Sequence, residues 1–329
     1  FTINPVWFFG WLYFLLKLAN PQYQYSLGFI AAGLGALYIV LAYIASITNS
    51  EDKKLTLFLG AIAVIFLTIA VPLQLKQNAI TIAWAVEAAV LFILGTYLRN
   101  YGMRIFGLAV LAFALARLFA LDSSAGDLSY FTVIFNRRFF TYFMTIAASA
   151  IMGYFAVKSS AEGLKGEKVT QGLLWSAVNF LIIVAVTFEI FTFFEAKIFD
   201  LEKNKAEELA RKIPVAQEFY PGEYQYRNQS EARYQVQASQ EYKSLTNQRN
   251  ASISVFWAIY AVILMTLGML YRSAFLRWSS LALFGVTIGK VFLYDLSVLR
   301  TPYRIISFMA LGIILLLASY LYYRYQKRL

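Results

Sequence analysis

The sequence predicts an all-α, polytopic transmembrane bundle of about ten spans, and three observations carry that expectation. Of 329 residues, 60% are hydrophobic and 18% aromatic, whereas only 14% are charged. That balance lies outside the range of soluble domains. Several apolar runs reach about 20 residues, enough to cross a hydrocarbon core of roughly 30 Å. Finally, Thr81–Asp122 repeats without a gap as Ser254–Asp295, an offset of 173 residues. Apolar matches between membrane helices are cheap. Trp84/Trp257, Gly95/Gly268, Arg99/Arg272, Arg104/Arg277, Arg117/Lys290 and Asp122/Asp295 are not, and together they read as an internal duplication of a helix pair.

What is missing excludes whole classes of chemistry. The chain has no Cys and no His. Disulfides, thiolate nucleophiles, His-ligated metals and Ser–His or Cys–His catalysis are therefore ruled out. No Walker loop, HExxH, paired intramembrane aspartates or dinucleotide fingerprint occurs, so no cofactor and no metal are expected. The net charge of +11 is spread along the chain, which fits membrane topology and not a nucleic-acid-binding stripe. The chain starts at Phe1 without Met and without a secretory signal, and is expected to be a fragment or a processed chain.

Taken in order, Pro5–Leu18 is a short aromatic first span, broken by Asn20-Pro21. Leu27–Ile47 carries Ala31, Ala32, Gly33 and Gly35, small residues that let helices approach closely. Leu55–Leu75 holds Pro72, which frees a backbone carbonyl that must find another donor. Ile80–Leu98 and Ile105–Leu121 form the first copy of the pair, joined by the basic turn Arg99–Arg104. The polar connection Asp122–Arg138 leads to the spans Phe139–Val157 and Gly172–Phe194. The second copy is Ile253–Tyr271 and Leu276–Tyr294, and a last span covers Tyr303–Tyr323. Thr68–Gln74 resembles Val184–Ile190, and Arg137–Phe143 resembles Tyr303–Met309. The repeat thus extends to a four-helix unit, and its two copies are expected to lie parallel about an axis along the membrane normal. Three parts follow: membrane helices over 1–194 with the first copy at 27–157, an insert over 195–250, and membrane helices over 251–329.

The insert has nine basic and nine acidic residues. Glu195–Ile213 reads as a charged helix continuing out of the preceding span, with Pro214 as its stop. In the following segment, YQVQAS alternates like a strand while its charge spacing suits a helix. A helical hairpin is the favoured form. Twelve Lys and Arg fall in one set of connections and six in the opposite set of short ones. The richer set, with the C-terminus, is expected on the cytoplasmic side of a bacterial inner membrane, and the insert on the periplasmic side.

Ionisable groups inside spans are costly in hydrocarbon and mark candidate sites. Glu87, Arg117, Glu189 and Lys290 all fall toward the insert side, with Asp122, Asp295, Arg138 and Arg304 at the mouth of that side. They predict a polar site opening to the outer leaflet. The plainer alternative is snorkelling or interhelical pairing, Glu87 with Arg117 and Glu189 with Lys290. Asp122 stands five residues after Arg117, about 140° around an α-helix, a poor intrahelical pairing. The copies diverge, Glu87 becoming Tyr260.

Pro72–Gly95, Arg104–Asp122 and above all Lys290–Arg324 (KVFLYDLSVLRTPYRIISFMALGIILLLASYLYYR) resemble a large bacterial family of predicted membrane proteins, domain-of-unknown-function family 2339. The resemblance covers most of the chain except the insert. It implies a bacterial inner-membrane protein with many spans, of which this chain is the C-terminal part, and it brings no activity with it. The expectation is a non-catalytic envelope component that moves or exports an anionic or lipid-linked substrate, in contact with membrane lipids. The alternative is a scaffold that docks a periplasmic or membrane protein through 195–250. Glycosyl transfer through Asp122 or Asp127 is the enzymatic alternative.

Overall fold

In a computed structural model the chain is all-α, with no strand among the described residues. The structure describes Trp7, Gly10, Trp11, Phe14, 24–48, 53–161, 167–212, 221–295, Met309 and Leu316. In chain order the helices are α1 (Gln24–Thr48), α2 (Lys53–Gln74), α3 (Asn78–Tyr97), α4 (Tyr101–Arg117), α5 (Arg137–Ala161), α6 (Glu167–Lys212), α7 (Pro221–Ala238), α8 (Gln240–Leu270) and α9 (Ala274–Lys290). Eight of the described helices have the length and hydropathy to cross a membrane. The expected first and last spans, the Pro214 stop, Arg304 and the side chain of Asp295 lie outside the described residues. Two compact units form, Phe1–Glu189 and Ile190–Leu329, and α6 runs unbroken from one into the other.

In the first unit, small residues set the spacing. Lipid is as apolar as leucine, so close van der Waals packing holds membrane helices together. Ala85, Ala88 and Ala89 of α3 are buried against Val110 and Ala114 of α4 and Ala148, Met152 and Ala156 of α5. A Cβ on Gly107 would stand 2.9 Å from the Ala88 carbonyl oxygen, so α4 crosses α3 nearly backbone to backbone. On the other side of α3, Val86, Val90 and Leu94 are exposed at four-residue spacing, an apolar stripe suited to lipid. A second core, Ala31, Ile62, Phe66 and Ala70, joins α1 to α2.

Helix α2 continues through Pro72. Pro72 has no N–H for the carbonyl four residues back, Thr68. The Trp84 indole Nε1–H of α3 donates to that oxygen at 3.2 Å, supplying the substitute partner the sequence demanded.

The helix pair α3–α4 and the helix pair formed by the end of α8 with α9 share their turn, cap and helix-end features position by position. Arg99 and Arg272 both take positive φ, 51° and 50°. The Asn100 and Ser273 N–H groups donate to the Gly95 and Gly268 carbonyls at 2.8 and 2.9 Å. Asn100 and Ser273 each cap the following helix, accepting from the N–H of Met103 and of Leu276. A Cβ on Gly95 would meet the Arg104 backbone nitrogen at 2.9 Å, and one on Gly268 would meet that of Arg277 at the same distance. Both second helices end in a π-helical turn, Leu118–Asp122 and Val291–Asp295. At the close crossing, Ser280 takes the place of Gly107 and donates to the Ala261 carbonyl at 2.8 Å.

The insert is helical in all its described residues but Ser239. YQVQAS lies within α7 and its end, where Ser239 breaks the chain and caps α8. Val236 of that stretch is buried with Ala232, one helical turn before it, a helical spacing and not the alternation of a strand.

The close crossings make the helix-pair glycines the sensitive positions. Gly95→Ala and Gly268→Ala each lower thermal stability by about 1–3 kcal/mol through overpacking, whereas Gly33→Ala, with nothing within 4 Å of its Cβ, does not. Melting curves in detergent check this. Trp84→Phe leaves the Thr68 carbonyl unserved and costs about 1–3 kcal/mol. In a Pro72→Ala background the alanine's own backbone N–H serves that carbonyl, so the same change costs less, and a double-mutant cycle of melting free energies reads the difference.

Candidate functional site

The polar groups of the first unit gather where α2 turns into α3 and α4 connects to α5. Asp122 is buried. Its Oδ2 accepts a hydrogen bond from the Thr81 hydroxyl and faces Arg117 Nε at 3.7 Å. The sequence spacing argued against an Arg117–Asp122 pair. The π turn reverses this, because its i→i+5 bonding widens the turn and brings residue i+5 back toward residue i. Arg117 Nη2 also donates to the Gln77 carbonyl at 3.2 Å, and Arg137 Nη1 donates to Gln77 Oε1 at 2.9 Å. Gln77 itself sits at φ 50°, ψ −134°, a region that side chains strain to occupy.

A second group lies where α6 passes the start of α5. Arg138 and Glu189 are both buried and pair at 3.0 Å. Asn136 Nδ2 reaches both Glu189 oxygens, at 3.0 and 2.9 Å, and the Ile134 N–H donates to Oε2 at 2.9 Å. Arg138 also donates to the Phe188 carbonyl and lies over the Phe188 ring. Each charge is thus both paired and hydrogen-bonded, the condition under which burial is tolerated. The arrangement clasps the 123–136 connection to α6. Ser123 adds a second tie through the hydroxyl of Tyr142, at 2.8 Å.

Glu87 belongs to neither group. Its Oε1 lies 2.5 Å from the Thr68 hydroxyl, and its Oε2 is buried without a hydrogen-bond partner. The expected Glu87–Arg117 pairing is therefore replaced by Glu87–Thr68 and Arg117–Asp122. For Glu189, the structure supplies Arg138, Asn136 and the Ile134 N–H. In the second unit, the Lys290 ammonium donates to the Asn250 carbonyl at 2.9 Å and to the Ser254 hydroxyl at 2.7 Å. This repeats the first unit in register: Asn250 corresponds to Gln77, Ser254 to Thr81 and Lys290 to Arg117.

Six of the eight expected site residues thus have described side chains: Glu87, Arg117, Asp122, Arg138, Glu189 and Lys290. Arg117 with Asp122, and Arg138 with Glu189, come together as pairs. The sequence reading missed Thr68, Gln77, Thr81, Asn136 and Arg137. Thr81/Ser254 and Gln77/Asn250 are hydroxyl and amide matches in the same register, so counting uncharged polar coincidences would have found them. Asn136 carries no comparable signal. Asp127 accepts the Ser129 backbone N–H at 2.9 Å, which holds its carboxyl below the ordinary range. A carboxyl so placed is a poor general acid near neutral pH.

Apolar helices long enough to span a bilayer, with the buried charges of Arg138 and Glu189 paired inside the fold, define a multi-pass α-helical membrane protein. The chain belongs to the family described as Predicted membrane protein (DUF2339), whose model matches residues 1–244 and 226–325. No curated protein and no solved structure matches the chain.

Removing one partner of the Arg138–Glu189 pair strands a buried charge. Arg138→Ala and Glu189→Ala are each expected to cost about 3–5 kcal/mol and to open 123–136 to protease. Arg138→Met with Glu189→Leu recovers much of the stability, as melting and limited proteolysis will report.

Proposed function

We propose that this protein is a non-catalytic membrane subunit that organises a bacterial envelope complex, docking a protein partner through the 195–250 helices. The observation that carries this reading is the form of α6. It runs 46 residues, about 69 Å at 1.5 Å per residue, more than twice what a span of roughly 30 Å needs. Its polar extension is tied to the neighbouring helices by charge. Glu195 pairs with Arg249 at the start of the extension, and Glu202 pairs with Arg233 at 3.4 Å. Arg249 also lies over the Phe191 ring at 4.6 Å, and Lys197 over the Phe193 ring at 4.4 Å. Two membrane helices, α6 and α8, are thereby prolonged into one clipped polar stalk. Surface ion pairs are individually weak, so continuity of the helices supplies most of the stiffness. The distribution of Lys and Arg supports a periplasmic stalk. That Arg117, Arg138 and Glu189 meet partners within the fold lowers the weight of an open substrate path.

One observation favours the transport reading: the unpartnered Oε2 of Glu87 on a membrane helix. Intramembrane carboxyls without a full set of partners recur at ion and proton paths. On that reading Glu87, and not the stalk, carries the function.

Native gels of mild-detergent extracts from the source membrane separate the two. Replacing 196–249 by a short flexible linker is expected to convert a large assembly to the isolated chain. A photocrosslinker at Tyr234, which is 76% exposed, is expected to give one discrete product in the unaltered chain. An assembly that survives without the stalk sinks the docking reading. Loss of cellular function on Glu87→Gln, with the assembly intact, moves the weight to transport.

A further inference from the structure

The end of the first unit presents two features with one common complement. The first is a pair of guanidinium groups. Arg117 and Arg137 converge on Gln77, one at its backbone carbonyl and the other at its side-chain oxygen. Neither is closely neutralised. Arg117 faces Asp122 only through Nε at 3.7 Å, and Asp122 also takes the Thr81 hydroxyl. Arg137 is exposed, and its bond is to a neutral amide. Arg138, the neighbouring cation, is by contrast closed on Glu189. Each guanidinium spends one hydrogen bond on Gln77, Arg137 from an exposed position and Arg117 from a partly buried one, around a backbone held in a strained conformation.

The second feature is an apolar loop immediately before α5. Tyr130 is 84% exposed and Phe135 88%, with Val133 and Ile134 also outward. Ile134, a β-branched residue, sits at φ 68°, where such side chains are rarely found. The buried Glu189 carboxylate holds it there through the Ile134 N–H. Phe135 precedes Arg137 by two residues, at most about 7 Å of backbone. Apolar tips are thus fixed beside Arg137, which has no ion-pair partner among the described residues, and the loosely paired Arg117, at the end of membrane-spanning helices.

A phosphate takes paired guanidinium donors in their preferred geometry. Aromatic side chains at the ends of membrane helices favour the headgroup level. A lipid with a charged phosphodiester satisfies both features at once, whereas a soluble anion satisfies only the first. We propose that Arg117 and Arg137 bind the phosphate of an anionic phospholipid, with its glycerol and upper acyl chains against Tyr130–Phe135. The inference does not depend on the stalk, and a failed docking test leaves it standing.

The test is native mass spectrometry of the full chain in detergent, titrated with phosphatidylglycerol, phosphatidylcholine or inorganic phosphate. One phosphatidylglycerol is expected to be retained in preference to phosphatidylcholine. Arg137→Gln weakens it about tenfold, the loss of one charge-assisted interaction of roughly 1.4 kcal/mol. Phe135→Ser weakens it less, and Lys158→Gln, at the opposite end of α5, leaves it unchanged. Arg117→Gln is a second test where the variant melts like the parent; Arg137, being exposed, carries the test without that condition. Equal retention of both lipids, or full retention by Arg137→Gln, overturns the proposal. Displacement of the lipid by inorganic phosphate reassigns the site to a free anion and overturns the lipid assignment.

Discussion

A backbone carbonyl inside a membrane helix has no water to turn to, so whatever frees it must be matched by a donor from the protein itself. Thr68 shows how far that constraint reaches. Pro72 releases its carbonyl, Trp84 from the next helix supplies the replacement donor, and the same Thr68 side chain takes Glu87. One imino acid in α2 therefore fixes the rotation of α3, because the indole and the carboxyl must both face it. Residues three apart on α3 share a face, and 84 and 87 have that spacing. Packing of Ala85, Ala88 and Ala89 against α4 and α5 then follows on the adjacent faces.

The same constraint explains which parts of the structure were legible in the sequence. The order of the described spans follows from apolar length alone, and eight of the described helices fall where those lengths put them. The turns of the helix pair were legible because their chemistry is local. Gly95 and Gly268 leave room for the following helix, and Arg99 and Arg272 occupy the left-handed position at the helix end. Partner choice among the charges was not legible. Angular spacing placed Arg117 and Asp122 apart, and only the π turn, whose hydrogen bonding no sequence period announces, brings them back together. Nor could spacing show that Glu189 is met by Arg138 and Asn136, because that depends on how the 123–136 connection folds back toward α6. Local chemistry travels with the sequence; tertiary pairing of charges does not.

The helix pair is closed at both ends, by different means. At the turn, a small residue lets the chain reverse and a capping side chain satisfies the new helix start. At the open end, a cation in the last turn of the second helix bonds a carbonyl at the far end of the first, that of Gln77 just before α3 and that of Asn250 within the longer α8. Arg117 does this to Gln77, and Lys290 does it to Asn250. A cation at that place is favourable twice over: it meets the negative end of its own helix dipole and satisfies a carbonyl of its neighbour. Arg and Lys are interchangeable here because the bond needs one donor on a long stem and not a planar fork.

That interchangeability limits what each cation can do beyond closing its pair. Lys290, a point charge with only three donors, directs its ammonium to a carbonyl and a hydroxyl. Arg117 has five donors, and the bond to Gln77 uses one of them. The first pair also adds Arg137 to the same glutamine, and a connection over 123–136 with exposed aromatics. Closure of the helix pair is therefore the property the two copies hold in common. A second guanidinium on Gln77 and a clasped apolar loop belong to the described first copy, beyond what closure of the pair requires.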